Sequence, residues 1–287
     1  MKAKTIKKAI RSKVNAWLAS IEDEAVRSAC AKETIVTGGA IASMLIGEPV
    51  NDYDVYFKTQ ACAVAVAEYY VSKLTAATGH GIKVNVDEDG RVRRVPGNVY
   101  RCETAGDVTT LQDSGEIEDA YEDSEAKALA DDRPQYRPVF LSTNAITLSQ
   151  KVQIILRFYG EPDAIHENYD FVHCTNYWTS DDHLVLRQPA LEALLARELR
   201  YVGSKYPVCS VMRLRKFIKR GWSVNAGQIL KMMMQVSALD LTDPKVLEDQ
   251  LTGVDSAYFI QIMSALKDNN PEKVNAAYLV EIIDRMF

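Results

Sequence analysis

Residues 34–57 read TIVTGGAIASMLIGEPVNDYDVYF, and the order of apolar and polar positions in them decides the fold of the first half of the chain. TIVT (34–37) is short and β-branched and runs into the glycine pair Gly38-Gly39, the composition of a strand that ends in a tight turn. AIASMLI reads as a short helix, closed by Gly47, which tolerates the left-handed conformation at a helix end. After a turn at EPVN, the run NDYDVYF (51–57) alternates polar and apolar residues, which predicts a half-buried strand. Residues i and i+2 of a strand share a face, so Asp52 and Asp54 should project together while Tyr53 and Val55 point into the core.

Two carboxylates forced side by side repel each other unless a cation lies between them. Hard oxygen ligands of this kind suit Mg²⁺, which is commonly held by one or two carboxylates together with substrate phosphates. Just upstream, Gly38 and Gly39 sit between a strand and a helix start, where backbone free of side chains can approach phosphate and helix N–H groups favour an anion. A phosphate cradle and a metal-binding strand in adjacent elements make a nucleoside triphosphate with Mg²⁺ the occupant to expect.

Working outward, the amino-terminal MKAKTIKKAIRSKVNAWLASI reads as an amphipathic helix packed through Ile6, Ile10, Val14, Trp17 and Leu18, without the apolar block of a secretory signal. ACAVAVAEYYVSKLTAAT (61–78) is a further helix. From about 87 to 138 apolar periodicity weakens and acids outnumber bases, so this stretch reads as an acidic, partly mobile insertion. PVFLSTNAITL and KVQIILRFYG read as strands, PDAIHEN as a short helix, and YDFVHCTNYW as another strand. From Pro189 onward every segment reads as helix, through ALEALLARELRYVG, CSVMRLRKFIKRG, AGQILKMMMQVSAL and DPKVLEDQL to SAYFIQIMSALKD and PEKVNAAYLVEIIDRM. The expectation is an α+β chain: a small mixed-sheet head over 1–188, then an all-helical domain over 189–287.

Composition narrows the function classes. With 287 residues, 47% hydrophobic and 25% charged, two domains are the natural division. A formal charge of -5 argues against a basic coat for nucleic acid, although a local patch can still hold phosphates. Cys30, Cys62, Cys102, Cys174 and Cys209 are scattered and odd in number, which fits a reducing cytoplasm better than a disulfide scaffold or a zinc site. No apolar run approaches the ~20 residues of a membrane helix. His166, His173 and Cys174 match no zinc spacing, and there is no nucleophile elbow, Walker lysine loop or dinucleotide glycine triplet.

The run GGAIASMLIGEPVNDYDVYF resembles the signature of DNA polymerase β type nucleotidyltransferases, most closely the glycine pair, short helix and D-x-D strand of the poly(A) polymerase and CCA-adding branch. The resemblance is strong over about 34–58, moderate over 144–177 and weak over 205–225. It implies a small mixed-sheet nucleotidyltransferase head in which Asp52 and Asp54 hold two Mg²⁺ ions. A third carboxylate, from a later strand of the same sheet, matches Asp170 in NYDFVHC, which would share the metal ion that activates the acceptor hydroxyl. An acceptor would then attack the α-phosphate of an NTP such as ATP and release pyrophosphate. Gly38 and Gly39 would bind the triphosphate through their backbone. Where that branch carries an Arg-Asp dipeptide this chain has Ala42-Ser43, which departs from the tRNA end-repair pattern and leaves Ser43 as a candidate phosphate contact.

The segment from Arg197 to Arg220 holds eight basic residues against Glu198 alone. SVMRLRKFIKRGWSV resembles the arginine-rich helix that follows the catalytic head in CCA-adding enzymes, and Arg213, Lys216 and Arg220 fall on one side of it. They would face the triphosphate or an RNA backbone; a solvated helix face is the bland alternative. Three functions follow: a transferase acting on an RNA or tRNA 3′ end, a toxin-like transferase acting on a protein or small molecule, and a catalytically silent binding or inhibitory module.

Overall fold

The computed structural model describes residues 1–78, 81–95, 99–102, 108–111, 135–142, 144–241 and 243–251. The two helices expected over SAYFIQIMSALKD and PEKVNAAYLVEIIDRM lie outside the described residues. The chain opens with α1 (Ala3–Ala19), whose Ile6, Ile10, Val14 and Trp17 are all buried, as a stripe spaced by three and four residues requires. Trp17 also donates its indole N–H to the Tyr70 hydroxyl at 2.9 Å, tying α1 to α4 (Gln60–Thr78). Between them come α2 (Glu24–Glu33), β1 (Thr34–Thr37), α3 (Gly39–Ile46) and β2 (Tyr53–Phe57). Then follow β3 (Lys83–Val86), β4 (Val92–Val95), β5 (Val99–Cys102), β6 (Val108–Leu111), β7 (Pro138–Leu141), β8 (Ala145–Leu148) and β9 (Val152–Tyr159). A short α5 (Pro162–His166), a 3-10 turn (Val172–Cys174), β10 (Tyr177–Thr179) and β11 (His183–Val185) complete the first part. Helices α6 (Gln188–Ala196), α7 (Pro207–Lys219), α8 (Ala226–Ser237) and α9 (Pro244–Leu251) follow.

The main sheet has nine strands in the order β11-β10-β1-β2-β9-β8-β7-β5-β6, while β3 and β4 pair separately. β2 and β9 are parallel and every other neighbour pair is antiparallel, so the sheet is mixed and the α+β expectation holds. Its strands feed two faces. Val36, Val55, Phe57, Ile154 and Leu156 join the main core with α1 and α4, and Ile35, Tyr56 and Ile165 form a smaller cluster. Helix α3 is buried nearly all round: Ala40, Ile41 and Met44 belong to the main core, and Ala42 to a second core with Phe171, Leu194 and Trp222. It is the wedge between sheet and helical tail.

Three readings need correction. Strands β4, β5 and β6 stand inside 87–138, where no regular structure was expected; they are four residues each and rich in polar side chains, too short to show a period. Of the strand expected over YDFVHCTNYW only Tyr177 and Trp178 stand in one, β10: Asp170 lies in a bend followed by the 3-10 turn, and Phe171 and His173 pack against Phe217 of the helical tail. The helix over ALEALLARELRYVG stops at Ala196, where Arg197 turns left-handed with φ 48. Among the described residues no helix is long and apolar enough to cross a membrane.

His173 packs on Trp222 and Phe217, with ring centroids 4.3 and 4.8 Å away. Burial pushes His173 and His166 down from 6.5 to about 4. A histidine with a lowered folded pKa binds fewer protons folded than unfolded, so its stabilising neutral form is fully present above about pH 6.5 and lost as pH falls toward 4. That amounts to on the order of 3 kcal/mol per histidine at 1.36 kcal/mol per unit. His173→Phe is expected to remove on the order of 3 kcal/mol of the stability lost between pH 6.5 and 4 in urea unfolding; an unchanged slope would mean the ring titrates normally.

Candidate active site

The site lies where β1 ends and β2 and β9 begin. Register places Thr37 opposite Asp54, Asp54 opposite Gln153, and Gln153 opposite Thr147, so four polar side chains from four strands line one face of the sheet. Thr37 and Thr147 are fully buried. Asp52 immediately precedes β2 and Asp54 is its second residue, both half-buried. Burial and the charge of Asp52 push the Asp54 carboxyl well above its usual range, while Arg213 and Lys216 pull the other way. Carboxylates and cations from the sheet and α7 therefore act on one another across the same space.

Gly38 caps α3 at φ 90, ψ -150, outside the reach of ordinary side chains. A Cβ there would stand 2.6 Å from Asp54 Oδ2 and 3.5 Å from the Tyr169 hydroxyl. The glycine is thus the floor of the Asp54 carboxylate. Its N–H donates to Cys174 O at 3.1 Å, so the amides left for an anion belong to Gly39 and the rest of the first turn of α3. A Cβ on Gly39 would meet nothing within 4 Å. Ser43 is buried inside α3, 8% exposed.

Asp170 is buried and committed: Oδ2 accepts from Arg213 Nη1 at 2.6 Å and Oδ1 from the Phe171 amide at 3.0 Å. It nevertheless stands near the pair, since Asp170, Asp54 and Arg213 all act on the Cys174 thiol, which burial pushes far up. Among the described residues no group of three or more His, Cys, Asp or Glu is gathered closely enough to hold a metal ion. The third strand position beside Asp54 is filled by Gln153, a neutral amide that a reading without register could not single out. Arg213→Ala leaves the Asp170 carboxylate without this partner and is expected to cost about 1–3 kcal/mol. Combined with Asp170→Asn the loss should be smaller than the sum of the two single changes, which a double-mutant cycle in urea reads directly.

Asp52 and Asp54 offer hard oxygens, Asp54 is penalised for its charge as it stands, and Gly38 leaves open the space beside Oδ2 that a side chain would fill. A divalent cation with phosphate oxygens completing its shell fits this pair. Three of the other basic residues are paired with carboxylates of this chain: Arg197 and Arg220 both reach Glu48, and Arg200 reaches Glu192 and Glu198. Lys216 is exposed and within electrostatic reach of Asp54.

A second feature adjoins the site through Tyr169, whose hydroxyl lies 3.1 Å from that of Tyr56. A cavity of about 320 Å³ opens beside it, lined among others by His166, Tyr169, Arg187 and Val202. His166 Nε2 meets Thr37 Oγ1 at 2.8 Å, and that hydroxyl lies 2.9 Å from Asn176 O, so the imidazole donates to Thr37 and Thr37 donates onward.

Comparison with solved structures aligns the chain with a Thermotoga maritima CCA-adding enzyme complexed with tRNA, at 13% identity over 94% of this chain and 53% of that one, TM-score 0.41. A Bacillus stearothermophilus CCA-adding enzyme in complex with CTP aligns at 11% identity over 93% of this chain and 53% of that one, TM-score 0.39. TM-scores of this size transfer no activity. A curated relative, "Gabija anti-defense 2" of Bacillus phage SPbetaL7, is 19% identical over 275 residues, covering 95% of this chain. The chain spans about half of that relative's length, 53%. The family model described as "Gad2: Gabija anti-defense 2 family protein" matches residues 8–197, which take in most of α1, the whole sheet and the carboxylate pair. The chain belongs to the Gabija anti-defense 2 family.

Proposed function

We propose that this chain is a metal-dependent nucleotidyltransferase, and that it serves the anti-defence role its family is named for through that chemistry. The observation that carries the reading is the buried edge of Asp54 beside Asp52, floored by a glycine and faced by Arg213 and Lys216. An acceptor hydroxyl attacks the α-phosphorus of an NTP, a new P–O bond forms, the bond to the bridging oxygen breaks, and pyrophosphate leaves. Asp52 and Asp54 would hold Mg²⁺, which supplies Lewis-acid polarisation of the phosphate oxygens. The first-turn amides of α3 bind triphosphate oxygens, and Lys216 neutralises charge that builds on them. Arg213 holds Asp170, which would share the ion that activates the acceptor hydroxyl.

The acceptor proposed first is an RNA or tRNA 3′ end, as the arginine-rich helix suggests; a protein or small molecule is the second reading, favoured by the internal pairing of Arg197, Arg200 and Arg220. Incubation with each α-labelled NTP, Mg²⁺ and total tRNA separates them. Label on RNA with stoichiometric pyrophosphate supports end addition, and label on protein supports the second reading. Pyrophosphate release by none of the four NTPs, with any acceptor supplied, would leave the silent binding module in possession.

A further inference from the structure

Away from the carboxylate pair, three cations crowd one carboxylate. Arg157 of β9 has a side chain only 4% exposed, and its Nη2 donates to Asp249 Oδ1 of α9 at 2.9 Å. Arg91 Nη1 donates to the same oxygen at 2.7 Å. The Arg157 guanidinium lies 4.1 Å from the centre of the Tyr206 ring. Lys205, next in the chain, is within reach of both arginines: partial burial and then their charges hold its ammonium below the usual value. Asp89 approaches Arg91 Nε at 4.0 Å, so three positive charges face two negative ones.

Two features are wrong for a simple structural pin. Arginine and carboxylate normally pair through two parallel bonds, one to each oxygen; here both arginines share Oδ1. Moreover Arg157 Nε and Nη1 are buried without a hydrogen-bond partner, a costly arrangement for a charged group inside a protein. A guanidinium fixed by an aromatic ring, with donors left over and two further cations beside it, is built for a group with more acceptor oxygens than a carboxylate has.

We propose that Arg91, Arg157 and Lys205 form an oxyanion site that takes a phosphate group, and that Asp249 is its internal stand-in. The site is independent of Asp52 and Asp54 and stands whether or not they bind metal. The shared ligand chemistry is a terminal phosphate, as found on a polyphosphate or on a 5′-phosphorylated oligonucleotide.

The test is calorimetric titration of the full chain with tripolyphosphate in EDTA, which removes any part played by a divalent cation. Asp249→Asn is expected to bind about tenfold more tightly than the parent, and the gain should vanish in Asp249→Asn/Lys205→Ala. Displacement by a 5′-phosphorylated oligonucleotide but not by its unphosphorylated twin would support nucleic acid as the source; displacement by neither would support free polyphosphate. Equal affinity in the parent and Asp249→Asn overturns the proposal, as does a gain that survives Lys205→Ala. Should Asp249→Asn fail to fold, the parent is compared with Arg91→Ala/Lys205→Ala: several-fold weaker binding supports the site, and equal binding overturns it.

Discussion

Asp54→Asn is expected to lower kcat for nucleotidyl transfer at least about a thousandfold, some 4 kcal/mol of transition-state stabilisation, while leaving the folded chain as stable as the parent or more so. The two effects separate because the carboxylate is unfavourable to the fold it sits in. Burial and Asp52 raise its folded pKa above the ordinary 3.8. A carboxyl whose pKa is raised binds more protons folded than unfolded, so stability falls as pH rises from about 3.8 through the folded pKa, and the penalty is complete above it. The amide is uncharged at every pH, keeps the shape, and removes both the penalty and the anionic ligand. Urea unfolding at pH 7 should show an unchanged or higher midpoint for Asp54→Asn. A marked loss of stability with activity intact would reverse the assignment, making Asp54 a structural anchor.

Gly38→Ala should be the most damaging small substitution in the chain. The added methyl would lie 2.6 Å from Asp54 Oδ2, on a residue whose φ of 90 suits only glycine. Backbone strain and overpacking together set the cost at about 2–5 kcal/mol. The collision would also push Asp54 out of line with Asp52, so transfer should fall in whatever fraction remains folded. Gly39→Ala is the control. A Cβ there meets nothing within 4 Å and Gly39 is already helical, so alanine should be neutral or stabilise by up to about 1 kcal/mol. Comparable destabilisation by both would mean that the close approach of Gly38 to the carboxylate does not exist in solution.

What could be read in the sequence was what depends on neighbours in the chain. The stripe Ile6, Ile10, Val14 and Trp17, the strand ending in Gly38, and the alternation around Asp54 each carry a period or a breaker. All three appear where expected. What could not be read depends on contacts between distant segments. YDFVHC alternates like a strand, yet the backbone bends at Asp170 and enters a 3-10 turn, with Phe171 and His173 in an aromatic cluster with Phe217 and Trp222. Gln153 matters only because parallel pairing sets it opposite Asp54, and a register between strands 99 residues apart leaves no local trace. Arg157 is one polar position within the strand pattern of KVQIILRFYG. Its burial against Asp249 appears only once α9 is folded over it.

Membership in a family named for anti-defence says nothing of mechanism, and under the proposed function the carboxylate pair would supply the chemistry. The most direct check is uptake of Mn²⁺, followed by the loss of the free-ion electron paramagnetic resonance signal, with a non-hydrolysable nucleoside triphosphate present. The parent chain should lower free Mn²⁺ beyond what the nucleotide alone binds, and an equally folded Asp52→Asn/Asp54→Asn variant should bind the ion with a dissociation constant at least about a hundredfold larger, a difference near 2.7 kcal/mol. Identical uptake by the two proteins would contradict the account, because the ion would then be held somewhere other than at the start of β2.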